Sequence, residues 1–185
     1  TRDEIAMAEQ VMSQMRLSEQ QRVVAKNLFN EGKKANFPVH EVLAQFKREC
    51  FRRRNLIQMF LEIVTVTAFA DGKMDDAERI ILEGIAKDLG YTPAQFKALL
   101  SRLSGQAHFM HDESSADKLK AAYGLLGIKK SASDAELKKA YRKQMNQHHP
   151  DKLVAKGLPE EMIDIATEKT QEIKAAYEMI KSTRK

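Results

Sequence analysis

The chain has 185 residues, 43% of them hydrophobic and 31% charged, which allows one medium domain or two small ones and excludes wholesale disorder. Its single cysteine, Cys50, excludes an internal disulfide and any four-cysteine zinc module, and fits a reducing compartment. The net charge of +5 is uneven: residues 1–117 carry 16 Lys and Arg against 17 Asp and Glu, whereas residues 118–185 carry 15 against 9, so the last third reads as a separate basic unit, with either an acidic partner or lysine-rich helices that keep a small domain soluble.

With no tryptophan, 8 glycines and 4 prolines, the composition favours helix over sheet. No stretch reaches the roughly 18 apolar residues that a membrane helix needs. The nearest is 56–70, interrupted by Gln58 and Glu62. No signal peptide is present and the chain opens on Thr1, so it reads as a soluble fragment that leaves any preceding anchor open.

Residues 1–15 align with residues 74–89, matching Glu4 to Glu78, Glu9 to Glu83, Val11 to Ile85 and Met15 to Leu89. Each copy opens on a capping signature, Thr1 before Glu4 and Asp75 before Glu78. Each also has a second helix start, where Ser18 and Thr92 are the natural N-caps and Pro93 suits the first helical position. Two copies predict an all-α bundle with an internal pseudo-repeat. Between them, Pro38 opens a helix with Val39, Val42, Leu43, Phe46 and Cys50 on one face. The next helix, 56–70, is apolar nearly all round and must run through the middle of the bundle, with Gly72 as its left-handed cap. Glu62, alone on it, is expected to bond Arg48 or one of Arg52, Arg53 and Arg54, or else to join an acidic cluster.

That cluster, Asp71, Asp75, Asp76 and Glu78, is a weak candidate for a divalent cation. Its spacing is not that of an EF-hand, and helix capping explains the same residues, so neither metal nor cofactor is expected.

From Ser104 onward the apolar repeat stops and turn formers accumulate, which predicts a helical domain over 1–103, a linker over 104–116 and a second domain over 117–185. The second domain reads as three helices: one carrying Leu119, Tyr123 and Leu126 and ending at Gly127, one capped by Ser133 and Glu136, and one opened by Pro159. The stripe Leu137, Tyr141 and Met145 should pack antiparallel against Ile163, Ala166, Thr170, Ile173, Tyr177 and Ile180.

Between the last two helices lie His148, His149, Pro150, Asp151 and Lys152. Pro150 disfavours helix at His149 and stiffens the turn, holding His149 and Asp151 outward. Taken alone, His149 as a cap on the helix dipole and Asp151 as a turn residue would explain the tripeptide. The neighbouring patterns add more. Tyr123-Gly-Leu-Leu126-Gly127-Ile128, Leu137-Lys-Lys-Ala-Tyr141-Arg-Lys and Ile173-Lys-Ala-Ala-Tyr177-Glu-Met-Ile180, flanking His149-Pro150-Asp151, resemble a J domain. The resemblance implies that His149, Pro150 and Asp151 stimulate ATP hydrolysis by an Hsp70 chaperone (DnaK). It further implies that Lys138, Lys139, Arg142 and Lys143 form the basic face that docks the chaperone's acidic patch. Such a face could also grip phosphates, but nothing nearby reads bases, so no nucleic acid is expected. His148 and His149 are not read as a metal pair, because adjacent residues rarely share an ion and no third ligand is near.

The first part, through Arg48-Glu-Cys-Phe-Arg, Met59-Phe-Leu-Glu-Ile63 and Ala68-Phe-Ala-Asp71-Gly72, resembles a TerB-like helical domain. A TerB-like domain before a C-terminal J domain, without a Gly/Phe-rich segment or CxxCxGxG repeats, is similar to a family of membrane-anchored DnaJ-like co-chaperones of Gram-negative bacteria. That likeness implies an anchor N-terminal to residue 1, the cytoplasmic side of the inner membrane, and a further protein partner for the helical domain. The alternative is an adaptor or signalling protein whose helical domain acts first. An enzyme is not expected, since no nucleophile–base set, phosphate loop or cofactor fingerprint is found.

Overall fold

The computed structural model describes residues 2–69, 74–110 and 115–184, which form helices and no strand. In chain order the helices are α1 (Arg2–Gln14), α2 (Glu19–Gly32), α3 (Val39–Glu49), α4 (Arg54–Thr67), α5 (Asp76–Asp88) and α6 (Pro93–Met110). They continue with α7 (Ser115–Leu126), α8 (Asp134–His148), the short α9 (Pro150–Val154), a 3-10 turn (Glu160–Met162) and α10 (Ile163–Thr183).

The helix starts follow local chemistry. Ser18 Oγ accepts from the Gln21 amide at 3.3 Å while Gln21 Oε1 accepts from the Ser18 amide at 2.9 Å. Asp75 and Glu78 make the same reciprocal pair at 2.7 and 2.9 Å, and Thr92 with Gln95 at 3.3 and 2.9 Å. Each pair satisfies amides that a helix start leaves open. The expected caps at Thr1 and Gly72 lie outside the described residues.

Helix α4 is central, as its all-round apolarity requires: no residue from 55 to 69 is exposed. On one side Ile57 and Leu61 join Leu43, Cys50, Leu82, Ala86, Leu89, Phe96, Leu99 and Leu103 in the core of the N-terminal unit. On the other, Met59 packs with Leu153, Leu158 and Ala166 from the C-terminal part. The periphery is looser. α2 has no buried residue, and Val39 and Val42 stay exposed while Leu43 and Cys50 on the same expected face are buried.

The expected loss of structure after Ser104 is corrected. α6 runs unbroken to Met110, and Phe109 enters the second core beside Ala122, Leu126, Leu137, Ile173 and Ile180. Tertiary packing overrides the local turn formers here. A Cβ on Gly105 would stand 2.7 Å from the Gly124 and Leu125 backbones, so α6 and α7 cross at a distance only glycine permits. α7 then ends at Gly127, as expected, and its φ of +69° makes it a left-handed cap.

Candidate functional site

The site is built on α8. Ser133 and Glu136 form its capping box, the Glu136 carboxylate accepting from the Ser133 amide at 2.7 Å, and this contact holds the Glu136 carboxyl below its usual value. Leu137 is buried and Tyr141 stacks on Tyr177 of α10, ring centroids 4.3 Å apart and 23° from parallel, so α8 and α10 lie stripe to stripe. At the start of α8, Arg184 from the end of α10 reaches Asp134 at 2.7 Å and the Tyr123 hydroxyl at 3.1 Å.

α8 stops where Pro150 dictates. His149 takes φ −60° and ψ 126°, its amide donating back to Met145 O at 2.9 Å. The expected open loop after it is corrected, because Pro150 immediately starts α9. Proline suits a first helical position since its missing N–H would have no partner there. His149 is therefore one extended residue between two helices.

Its side chain is oriented by that break. His149 Nδ1 accepts the Asp151 amide at 3.2 Å, a better contact than the 3.8 Å separation from the Asp151 carboxylate. An accepting Nδ1 places the ring proton on Nε2, on a side chain 42% exposed, while the Asp151 side chain is 89% exposed. One N–H donor and one carboxylate thus stand side by side on a stiff turn. Lys152 turns back to Asn146. Lys138, Lys139, Arg142 and Lys143 are all exposed, at i, i+1, i+4 and i+5 of α8, which makes them one basic face. Lys139, Lys143 and Gln147 also line a cleft of about 660 Å³ between α8 and α6, with Gln95 and Arg102 on the α6 wall.

Behind the turn lies a feature that sequence reading missed. His148 is 4% exposed. Its Nδ1 lies 2.9 Å from Gln144 O and its Nε2 lies 3.1 and 3.2 Å from the two carboxylate oxygens of Glu62 on α4. Glu62 also bonds Arg102 of α6 and Lys169 of α10, and accepts from Gln58 at 2.9 Å. Arg102 reaches on to Gln144 at 2.6 Å. Burial by itself would push the Glu62 carboxyl up, but Lys169, His148 and Arg102 overcome it and hold the group well below the usual carboxylate value.

The expected Glu62 partners, Arg48 or Arg52 to Arg54, are thereby corrected. Arg54 is the first residue of α4, and eight residues of helix place it about 12 Å down the axis from Glu62. Glu62 does not join the acidic cluster either. Asp75 and Glu78 cap α5, and Asp76 pairs with Arg79 at 3.3 Å. Asp71 lies outside the described residues, among which no group of three or more His, Cys, Asp or Glu side chains could hold a metal ion. No described helix is long and apolar enough to cross a membrane.

Comparison with known proteins agrees with this anatomy. Residues 121–185 match the DnaJ domain model and residues 1–101 match the model of tellurite resistance protein TerB. A co-chaperone protein DjlA of Shewanella oneidensis is 47% identical over 186 residues, covering 100% of this chain and 71% of the relative. The DjlA co-chaperone of Photobacterium profundum is 42% identical over 193 residues (98% of this chain, 70% of the relative), and that of Escherichia coli K12 is 42% identical over 193 residues (98% and 71%). No solved structure matches the chain.

Proposed function

The chain belongs to the DjlA family of co-chaperones, and on that premise we propose that it docks an Hsp70 of the DnaK type and accelerates its ATP hydrolysis through His149, Pro150 and Asp151. The observation that carries this reading is the turn itself: a donor Nε2 on His149 and an 89% exposed Asp151 carboxylate, held on one extended residue between α8 and α9. The basic face of Lys138, Lys139, Arg142 and Lys143 stands beside it and brings an acidic partner to the same end of the molecule. The protein supplies no hydrolytic groups in this scheme. It regulates a reaction that occurs in its partner.

The membrane-anchored, inner-membrane setting and a second protein partner of the N-terminal unit complete the proposal. Val23, Val24 and Leu28 on α2 and Ile80 and Ile81 on α5 are exposed apolar side chains that such a partner would cover.

Single-turnover ATPase measurements on an Hsp70, with and without the chain, test the reading. His149→Gln should abolish stimulation while leaving the circular dichroism spectrum and melting temperature unchanged, because the ring is half exposed and no core depends on it. Undiminished stimulation by that variant would refute the assignment.

A further inference from the structure

One stripe of α4 holds the residues on both sides of the His149-Pro150-Asp151 turn. Asn55, Met59 and Glu62 stand at i, i+4 and i+7 and so share a helix face. Asn55 Nδ2 donates to the Gln147 carbonyl at 3.4 Å, in the last turn of α8, where carbonyls lack intrahelical partners. Glu62 takes both its carboxylate oxygens to within 3.2 Å of His148, the final residue of that helix. Met59 is buried with Leu153, the fourth residue of α9. Just before α4, Arg53 lies against Gly157, where an added Cβ would come within 3.0 Å of the guanidinium carbon.

The segment that follows from these contacts is sharply divided. His148 and Leu153 are 4% and 1% exposed, and both are seated against the N-terminal unit. The turn between them projects into solvent. The His148 ring is held at both nitrogens, Nδ1 by Gln144 O and Nε2 by Glu62. The residue next to His149 is thus tied to a carboxylate 86 residues away.

We infer that Glu62 is a positioning residue for the His149-Pro150-Asp151 turn: acting through His148, the N-terminal unit fixes the angle at which the turn meets its partner. The inference rests on the proposed function for its consequence, though not for its geometry. Misplacing a reacting or signalling group by about 1 Å costs up to a hundredfold in rate, so a loosened turn should lose stimulation while the basic face still docks. A purely structural role would instead weaken docking and stimulation together.

The test uses the whole chain with Glu62→Gln and the milder Asn55→Ala. Maximal single-turnover stimulation and the half-saturating concentration are read on an Hsp70, and amide hydrogen exchange is read residue by residue. Glu62→Gln should lower maximal stimulation about tenfold, with the half-saturating concentration within about twofold of the parent. Exchange should quicken about tenfold at residues 149 and 151–153 and stay unchanged at 138–143. Asn55→Ala should show the same pattern at about threefold. A folded Glu62→Gln protein with parental stimulation and exchange overturns the inference, as does exchange that quickens uniformly along α8 with weaker docking. Should Glu62→Gln fail to fold, parental behaviour of Asn55→Ala overturns it. If the parent chain gives no stimulation, the proposed function fails instead, and exchange at 149 and 151–153 still reports whether Glu62 holds the turn.

Discussion

Glu62 carries its negative charge where almost no water reaches, at 1% exposure, and such a charge is tolerable only when paired. Arg102, Lys169 and His148 surround it from three other helices. Removing one member of a buried cluster strands the rest, so Glu62→Gln should cost about 3 kcal/mol at neutral pH, the amide oxygen still accepting some of the bonds. The pH dependence has a definite sign. The folded-state carboxyl lies well below its unfolded value of 4.5, so its stabilisation is complete above that value and disappears as pH falls through the folded pKa. Urea denaturation of the two proteins should give a gap that is constant near neutrality and narrows below about pH 4.5. A gap unchanged down to pH 3 would show that Glu62 is not the charged centre of the cluster.

α8 combines two tasks, with stripe Leu137, Tyr141 and Met145 turned to the core and Lys138, Lys139, Arg142 and Lys143 turned to solvent. Exposed charges steer encounter more than they prolong a complex. Arg142→Ala should raise the half-saturating concentration for Hsp70 several-fold and leave maximal stimulation intact, and added salt should do the same to the parent as the Debye length contracts from about 10 to 3 Å between 0.1 and 1 M. Titrating stimulation at several ionic strengths checks both. Such local features were readable in advance. The cap at Ser18 and the boxes at Asp75 and Ser133 need only a residue and its near neighbours, and the break at His149 needs the proline that follows it. α9 escaped because Pro150, read as a helix stop, is equally a helix start. Residues 104–110 escaped because Gly105, a turn former by composition, serves a helix crossing. That Glu62 needs a basic partner was legible from its place on an apolar helix, but not which one: its partners lie 40, 86 and 107 positions away, and no periodicity links them.

Among the described residues the N-terminal unit is joined to the C-terminal one by the Glu62 cluster, the Met59–Leu153–Leu158–Ala166 core and the crossing of α6 on α7, with surface pairs such as Arg16–Asp164 and Gln14–Glu168 added at the rim. α6 belongs to both, since Phe96, Leu99 and Leu103 enter the first core and Phe109 the second. A molecule so connected should unfold in one transition, and the crossing offers a way to divide it. At Gly105 an added Cβ would meet the Gly124 and Leu125 backbones at 2.7 Å, and helix backbone packed against a neighbouring helix cannot step aside as a flexible side chain can. Gly105→Ala should cost about 1–3 kcal/mol and spread heat unfolding into two resolved steps. Gly84, on the open side of α5 with nothing within 4 Å, should respond in the opposite sense, because Gly84→Ala relieves only the helix cost of glycine and adds about 0.5–1 kcal/mol. Calorimetry of the two variants against the parent decides the matter. A Gly105→Ala chain that melts in one step at the parental temperature would mean that α6 and α7 do not bind the two units together.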